Sequence, residues 1–166
     1  MGEITSFQLH PRAFHRMYVT RATPKIVAID LDCGEDPFYR YKTRQLKIID
    51  NGNARTFFEN IKDVSKDLNI LPSFLPKFLA IELGTSSGFE KGRNLWYIAG
   101  SHSTNSIHEK LSVFIREFVL CKTCGQPELS YEAKRGKVLM SCRGCGETTY
   151  QNEHEKFCKF MVKELR

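Results

Sequence analysis

Cys121-Lys-Thr-Cys124 and Cys142-Arg-Gly-Cys145, separated by seventeen residues, constrain this chain more than any other feature. Each C-x-x-C pair sits on a tight turn that points both sulfurs the same way. The intervening segment is long enough for a small hairpin that carries the second turn to the first. Four thiolates in that arrangement make the tetrahedral, closed donor set of a zinc ribbon, with no open position for water, so the metal is structural. Four unligated thiols or two disulfides are the alternatives to this reading. Gly125, Gly144 and Gly146 beside the cysteines fit turns that need positive φ. Cys33 and Cys158 are left over and read as buried or half-buried free thiols.

The rest of the chain fits a cytoplasmic protein that meets something anionic. Cysteine use of this kind points to metal in a reducing compartment rather than to a disulfide scaffold. The formal charge of +6 and pI of about 9.0 are compatible with nucleic acid. No apolar run approaches the roughly 18 residues that span a bilayer, so no membrane partner is expected. From Ile4 to Ile29 there is no Asp or Glu, while Arg12, Arg16, Arg21 and Lys25 are basic. We read this stretch as a basic arm or an added strand, with Lys25–Ile29 strand-like, rather than as a transit peptide.

From Asp36 the pattern is that of a small α/β unit. Gln45–Ile49 and Arg55–Phe58 predict a hairpin around Asp50-Asn-Gly-Asn53. Asn60 is placed to cap a short helix with Ile61, Val64 and Leu68 inside. Pro72 suits the first turn of a second, with Phe74, Phe78 and Leu79 on its apolar side. Ile81–Leu83 and Trp96–Ile98 read as strands joined by a Gly- and Ser-rich loop. Ser106 and Glu109 form a capping box for a longer helix carrying Ile107, Leu111, Phe114, Ile115 and Phe118 on one face. That helix runs almost directly into Cys121, so rigid coupling of the two units is expected. A last helix is expected from Gln151 to Leu165, packing through Phe157, Phe160 and Met161. The fold class is therefore α+β. It comprises a basic extension over residues 1–35, a mixed α/β domain over 36–119, and a four-cysteine zinc ribbon with a C-terminal helix over 120–166.

No nucleophile–base constellation stands out, and there is no G-x-x-x-x-G-K-[ST] phosphate loop. His102 reads as a turn or capping residue. Phe38-Tyr-Arg-Tyr-Lys42 sets one arginine between two tyrosines. Either it is a basic patch with aromatic anchors, or the aromatics hold Arg40 outward for a phosphate, whose oxygens match the planar guanidinium fork.

Several segments together resemble the N-terminal region of the eukaryotic translation initiation factor 5 family. They are Asp36-Pro-Phe-Tyr-Arg-Tyr-Lys42, Glu82-Leu-Gly84, Gly100-Ser-His102 with Asn105, Phe118-Val-Leu-Cys121, and the His154, Lys156, Cys158 segment. The resemblance implies a factor that is not itself an enzyme. It would stimulate GTP hydrolysis by initiation factor 2, which carries initiator tRNA on the small ribosomal subunit. It implies Arg40 as an arginine finger in trans, with Arg55 (where the family has lysine) and Lys77 as further basic positions. It also implies loops at Asn51, Gly52 and Asn53 and at Lys91 and Arg93 that touch initiator tRNA and mRNA near the start codon. The family motif usually continues Met-Pro where this chain has Thr43-Arg44. The seventeen-residue spacer and Gly84-Thr-Ser-Ser87 are closer to the β subunit of initiation factor 2. That scaffold is the alternative reading, followed by a generic zinc-ribbon RNA-binding module. The family's C-terminal helical-repeat domain lies outside these residues.

Overall fold

The computed structural model describes residues 25–29, 39–50, 54–151 and 153–166. Cys33, the Asp36–Phe38 start of the arginine motif, the loop tip Asn51–Asn53 and the arm before Lys25 lie outside the described residues. The molecule is α+β, with three antiparallel sheets and four α-helices among the described residues.

The strand-like start is strand β1 (Ile26–Ala28), paired with β2 (Lys42–Arg44). A four-stranded sheet follows in the order β3-β4-β6-β5, built from β3 (Ile48–Asp50), β4 (Arg55–Phe58), β5 (Ser87–Glu90) and β6 (Leu95–Ala99). Between β4 and β5 lie α1 (Ile61–Asp67) and α2 (Phe74–Glu82). Then α3 (Thr104–Phe114) passes into a π-helical turn, Ile115–Val119, that ends against the first cysteine. The ribbon is a three-stranded meander of β7 (Leu129–Lys134), β8 (Lys137–Cys142) and β9 (Thr148–Gln151), closed by α4 (Glu155–Glu164). No helix among the described residues is long and apolar enough to cross a membrane.

Several local expectations change. The first strand of the hairpin begins at Ile48 rather than Gln45. The Asn60 side chain does not cap α1: its Oδ1 accepts from Lys47 N at 2.8 Å and its Nδ2 donates to Gln45 O at 2.9 Å. The amide thus ties the lead-in to β3 to the start of α1, while Gln45 N also donates to Lys25 O at 2.7 Å and Glu59 N to Lys47 O at 3.0 Å. Pro72 precedes α2 by one turn residue, Ser73, instead of sitting inside its first turn.

Ile81–Leu83 is not a strand. Ile81 and Glu82 complete α2, and Gly84 at φ 65° ends it, its N–H on Ile81 O at 3.2 Å and that of Thr85 on Ala80 O at 2.8 Å. These are the paired closing bonds of a Schellman motif, which needs a residue at positive φ. The strand comes later, at β5. Further on, α3 is capped by Ser103, whose side chain accepts from Ser106 N at 3.2 Å, one turn ahead of the expected capping box. The last helix also starts later than Gln151, which pairs with Val138 in β9.

The helices bury a single aromatic cluster. Phe74 and Phe78 from α2, Phe114 from α3, Phe118 from the π turn and Phe157 from α4 are each at most 1% exposed. Ring centroids lie 5.1 Å apart for Phe78–Phe114, 5.3 Å for Phe78–Phe157 and 4.9 Å for Phe118–Phe157. The π turn, closed by Leu120 N on Ile115 O at 2.9 Å, keeps Phe114 and Phe118 stacked at 5.6 Å on the same side. Because Phe157 follows the ribbon in sequence but sits among rings that precede it, one apolar core runs through both parts. Each such ring pair adds about 0.5–1.5 kcal/mol beyond the area it buries.

Candidate metal centre and arginine segment

The hairpin of β7 and β8 brings the two C-x-x-C turns together as the spacing predicts. The ligand atoms of Cys121, Cys124, Cys142 and Cys145 all lie within 4.8 Å of one another. Cys121 Sγ is 3.7 Å from Cys145 Sγ, and Cys124 Sγ is 3.7 Å from Cys142 Sγ. A tetrahedron with zinc–sulfur bonds of about 2.3 Å has sulfurs about 3.8 Å apart, so these residues fit zinc, and all four cysteines are free of disulfides. Each turn is closed by a backbone bond, Gly125 N to Cys121 O at 2.8 Å and Gly146 N to Cys142 O at 2.9 Å. Gly125 and Gly146 have φ of 68° and 76°, as expected. Gly144 does not; a Cβ there would meet Gln126 Oε1 at 2.6 Å, the end of a flexible side chain that can turn aside.

The crowded thiols titrate unequally. Burial works against ionising Cys121, but backbone N–H groups of Cys124 and Thr123, together with hydrogen bonds from the Cys145 and Cys124 side chains, bring that thiol down to about 7. The Glu147 N–H draws Cys145 down, yet burial and hydrogen bonds from the other three sulfurs prevail and push it up to about 12. Four thiolates this close need a cation among them, and a zinc ion held by these four cysteines would supply structural charge and closure there. Cys158 is the buried free thiol the sequence predicts: its Sγ donates to Glu153 O at 3.1 Å and burial pushes it up to about 11.

Arg40 is exposed on irregular backbone just before β2. Tyr39 and Tyr41 pack edge to face at 5.8 Å, and the Arg40 guanidinium lies 6.0 Å from the Tyr41 ring centroid. The Tyr41 hydroxyl donates to Glu128 Oε1 at 3.1 Å, across 87 residues. That bond, burial and the carboxylate's charge raise the Tyr41 phenol above 10.0, against the pull of Arg40. Glu128 belongs to the ribbon and is held between its turns: Cys121 N donates to Gln126 O at 3.0 Å and Arg143 N to Glu128 O at 2.9 Å. Sequence spacing carries no hint of Glu128.

The other basic candidates lie apart from Arg40. Arg55 opens β4 and stacks at 4.5 Å on Tyr97, with Glu90 at 3.6 Å. Arg93, in the turn between β5 and β6, lies 5.2 Å over Phe57 and 3.5 Å from the same Glu90. Phe57 and Tyr97 are directly opposed and tilted at 5.7 Å. Gly88 lets Tyr97 lie across the sheet, because a Cβ there would be 2.6 Å from the Tyr97 hydroxyl. Arg55 and Arg93, read from sequence as separate functions, therefore form one cluster around Glu90. Glu90 itself is legible only as the acid three residues before Arg93. Lys91 is exposed on the same turn. Lys77 stands on α2 with its Nζ 5.6 Å over Phe160, and Arg40, Arg55 and Lys77 share no partner among the described residues. His102 lies in the segment before α3, next to the capping Ser103, with its Nε2 hydrogen-bonded with Ala99 O at 2.8 Å.

Comparison with known proteins adds a lineage. Residues 32–148 match the family described as a domain found in initiation factors 2B and 5. The chain is 36% identical over 133 residues to eukaryotic translation initiation factor 5 of Mus musculus, covering 77% of this chain and 31% of that protein. It is 31% identical over 132 residues to the Saccharomyces cerevisiae factor of that name, covering 77% and 33%. The chain spans about a third of the length of these relatives. With the family matched across the arginine segment, the four-stranded sheet and all four cysteines, this chain belongs to the domain family shared by initiation factors 2B and 5, on the side of initiation factor 5.

Proposed function

We propose that this chain is a translation initiation module that stimulates GTP hydrolysis by initiation factor 2, through Arg40 acting in trans. It works on the small ribosomal subunit, in the cytoplasm, and contacts initiator tRNA and mRNA through its loops. The observation that carries the reading is the presentation of Arg40: exposed, flanked by two packed tyrosines, and tied through Tyr41 to Glu128. A guanidinium held against β/γ-phosphates stabilises charge that develops in phosphoryl transfer, and such fingers are worth roughly 10³–10⁵ in rate. Arg55 and Lys77 serve as further basic contacts on the GTPase. Asn51, Gly52 and Asn53 at the β3–β4 tip, with Lys91 and Arg93 at the β5–β6 turn, are the RNA contacts. Phosphate contacts of this type position without reading sequence. Cys121, Cys124, Cys142 and Cys145 hold a structural zinc. Residues 1–35 serve as a basic extension, 36–119 as the catalysis-promoting α/β domain and 120–166 as the ribbon with its helix.

Single-turnover GTP hydrolysis by initiation factor 2, bound to initiator tRNA and the small subunit, tests this. The wild-type chain is expected to accelerate hydrolysis by orders of magnitude. Arg40→Ala is expected to abolish that acceleration while binding persists. Equal rates with and without the wild-type chain would leave the β-subunit-like scaffold as the reading.

A further inference from the structure

The register of the ribbon sheet separates its residues into two faces. Val138 pairs with Gln151 and Met140 with Thr149, and with Leu129 they form the inner face; Val138, Met140, Gln151 and Leu129 are buried. The outer face carries Lys134 opposite Lys137, and Glu132, Leu139 and Tyr150 in one row across the three strands. Tyr150 is 42% exposed there, although nothing in the core calls for an aromatic at that position.

The turn joining β7 and β8 is Arg135-Gly136, with φ of 53° and 75°. Positive φ at both central residues is the geometry that favours Asn-Gly, and a long side chain is disfavoured at the first of them. An arginine held in that backbone, between Lys134 and Lys137, puts three cations on one exposed hairpin tip. None of them has an acidic partner within 4.0 Å among the described residues, whereas Arg44, Arg55, Arg93 and Lys122 all do. Glu132 is the carboxylate on that face of the sheet, and it is unpaired with either lysine.

We propose that the outer face of the β7–β8–β9 sheet, with its Lys134–Lys137 tip, is a contact surface for single-stranded RNA. Lys134, Arg135 and Lys137 take backbone phosphates and Tyr150 stacks on a base. Cations beside an exposed aromatic ring are the combination that sequence-tolerant single-strand binding uses. An acidic polypeptide would satisfy the cations but leave the ring without a stacking partner. The surface is separate from the β5–β6 turn and does not depend on Arg40 or on any GTPase.

The test uses the zinc-loaded full chain and fluorescence anisotropy of a labelled oligoribonucleotide of about 12 nucleotides. All variants are made in a Lys91→Gln/Arg93→Gln background, so the loop contacts cannot mask the ribbon. Arg135→Asn suits the left-handed backbone, so its thermal midpoint should not fall. Combined with Lys137→Gln, it should weaken binding about tenfold and lower the slope of log K against log salt by about 0.7 per phosphate lost. Tyr150→Ser should weaken RNA binding about fivefold or more while leaving binding of inorganic polyphosphate unchanged. Glu132→Gln should tighten binding. Wild-type affinity and slope in the Arg135→Asn/Lys137→Gln variant would overturn the proposal. So would polyglutamate competing as well as RNA with Tyr150→Ser without effect, which would assign the surface to an acidic protein. Loss of all binding in the Lys91→Gln/Arg93→Gln background would also overturn it and leave the loop contacts standing.

Discussion

Arg44, at the end of β2, is tied to α1 by four contacts. Its backbone N–H donates to Asp67 Oδ2 at 3.0 Å, its Nε to the same oxygen at 2.8 Å and its Nη2 to Oδ1 at 2.6 Å, with Asp63 3.1 Å away. The result pins β2, and hence the backbone that follows Arg40, to the end of α1. The Arg44 side chain is the main cause that holds the Asp67 carboxyl below its usual 3.8, with the Arg44 backbone N–H adding to it against burial. The sign follows: the stabilisation is complete above 3.8 and is lost as pH falls through the lower folded value. Asp67→Asn should lower the thermal midpoint at neutral pH by about 2–6 °C. That deficit should shrink as pH falls below about 4. Acid also strips metal from thiolates, so the quantity to measure is the difference between wild type and variant at each pH. A deficit that is constant with pH would mean that charge at Asp67 is not what matters.

Elements were legible in the sequence where their own residues fix them and illegible where a neighbour decides. The two C-x-x-C turns, β4, β6 and the apolar face of α3 follow from local pattern. The helix ends do not. Ile81–Leu83 alternates like a strand, yet the bonds that close α2 come from Gly84 and Thr85, so the end of one element is written in the next. Ser106 looks like a cap because Glu109 follows it, but Ser103 takes the role and receives the Ser106 N–H. Asn60 would cap α1 had its amide not been engaged by residues 45 and 47, thirteen or more positions away. These assignments are separable by equilibrium urea unfolding. Ser103→Ala should cost about 1 kcal/mol, and Ser106→Ala only a fraction of that. Gly84→Ala should cost about 1–2 kcal/mol through backbone alone, because nothing lies within 4 Å of the added Cβ. Equal costs at Ser103 and Ser106 would restore the capping box at the later position.

At the scale of the molecule, the ribbon and the α/β part meet in two ways that sequence spacing cannot display. One is the ring cluster, in which Phe157 closes a core begun by Phe74 and Phe78. The other is polar: Tyr41 to Glu128, Asn69 Nδ2 to Leu129 O at 3.4 Å, and Gln151 Nε2 to Glu117 O at 3.0 Å. The first of these links the arginine segment to backbone that the cysteine turns hold in place. Zinc at the four cysteines should therefore be felt at Tyr41, although the two are far apart in sequence. The Tyr41 phenol reports on it, because the Glu128 hydrogen bond is the largest cause of its elevation above 10.0. Stability drawn from that bond is present below 10.0 and is lost as pH rises through the folded value. In an NMR titration of ring-labelled tyrosine, Glu128→Gln should bring the Tyr41 titration midpoint back toward 10.0. Removing zinc with a chelator should do the same in the wild-type chain, and should do nothing further in Glu128→Gln. Tyr41→Phe keeps the ring packing and removes only the hydroxyl; it should slow GTP hydrolysis several-fold in the reconstituted assay without weakening association, because Arg40 itself remains. If chelation frees the ribbon yet leaves the Tyr41 titration unmoved, the zinc ribbon folds and unfolds without reference to the arginine. Arg40 then owes its presentation to Tyr39 and β2 alone.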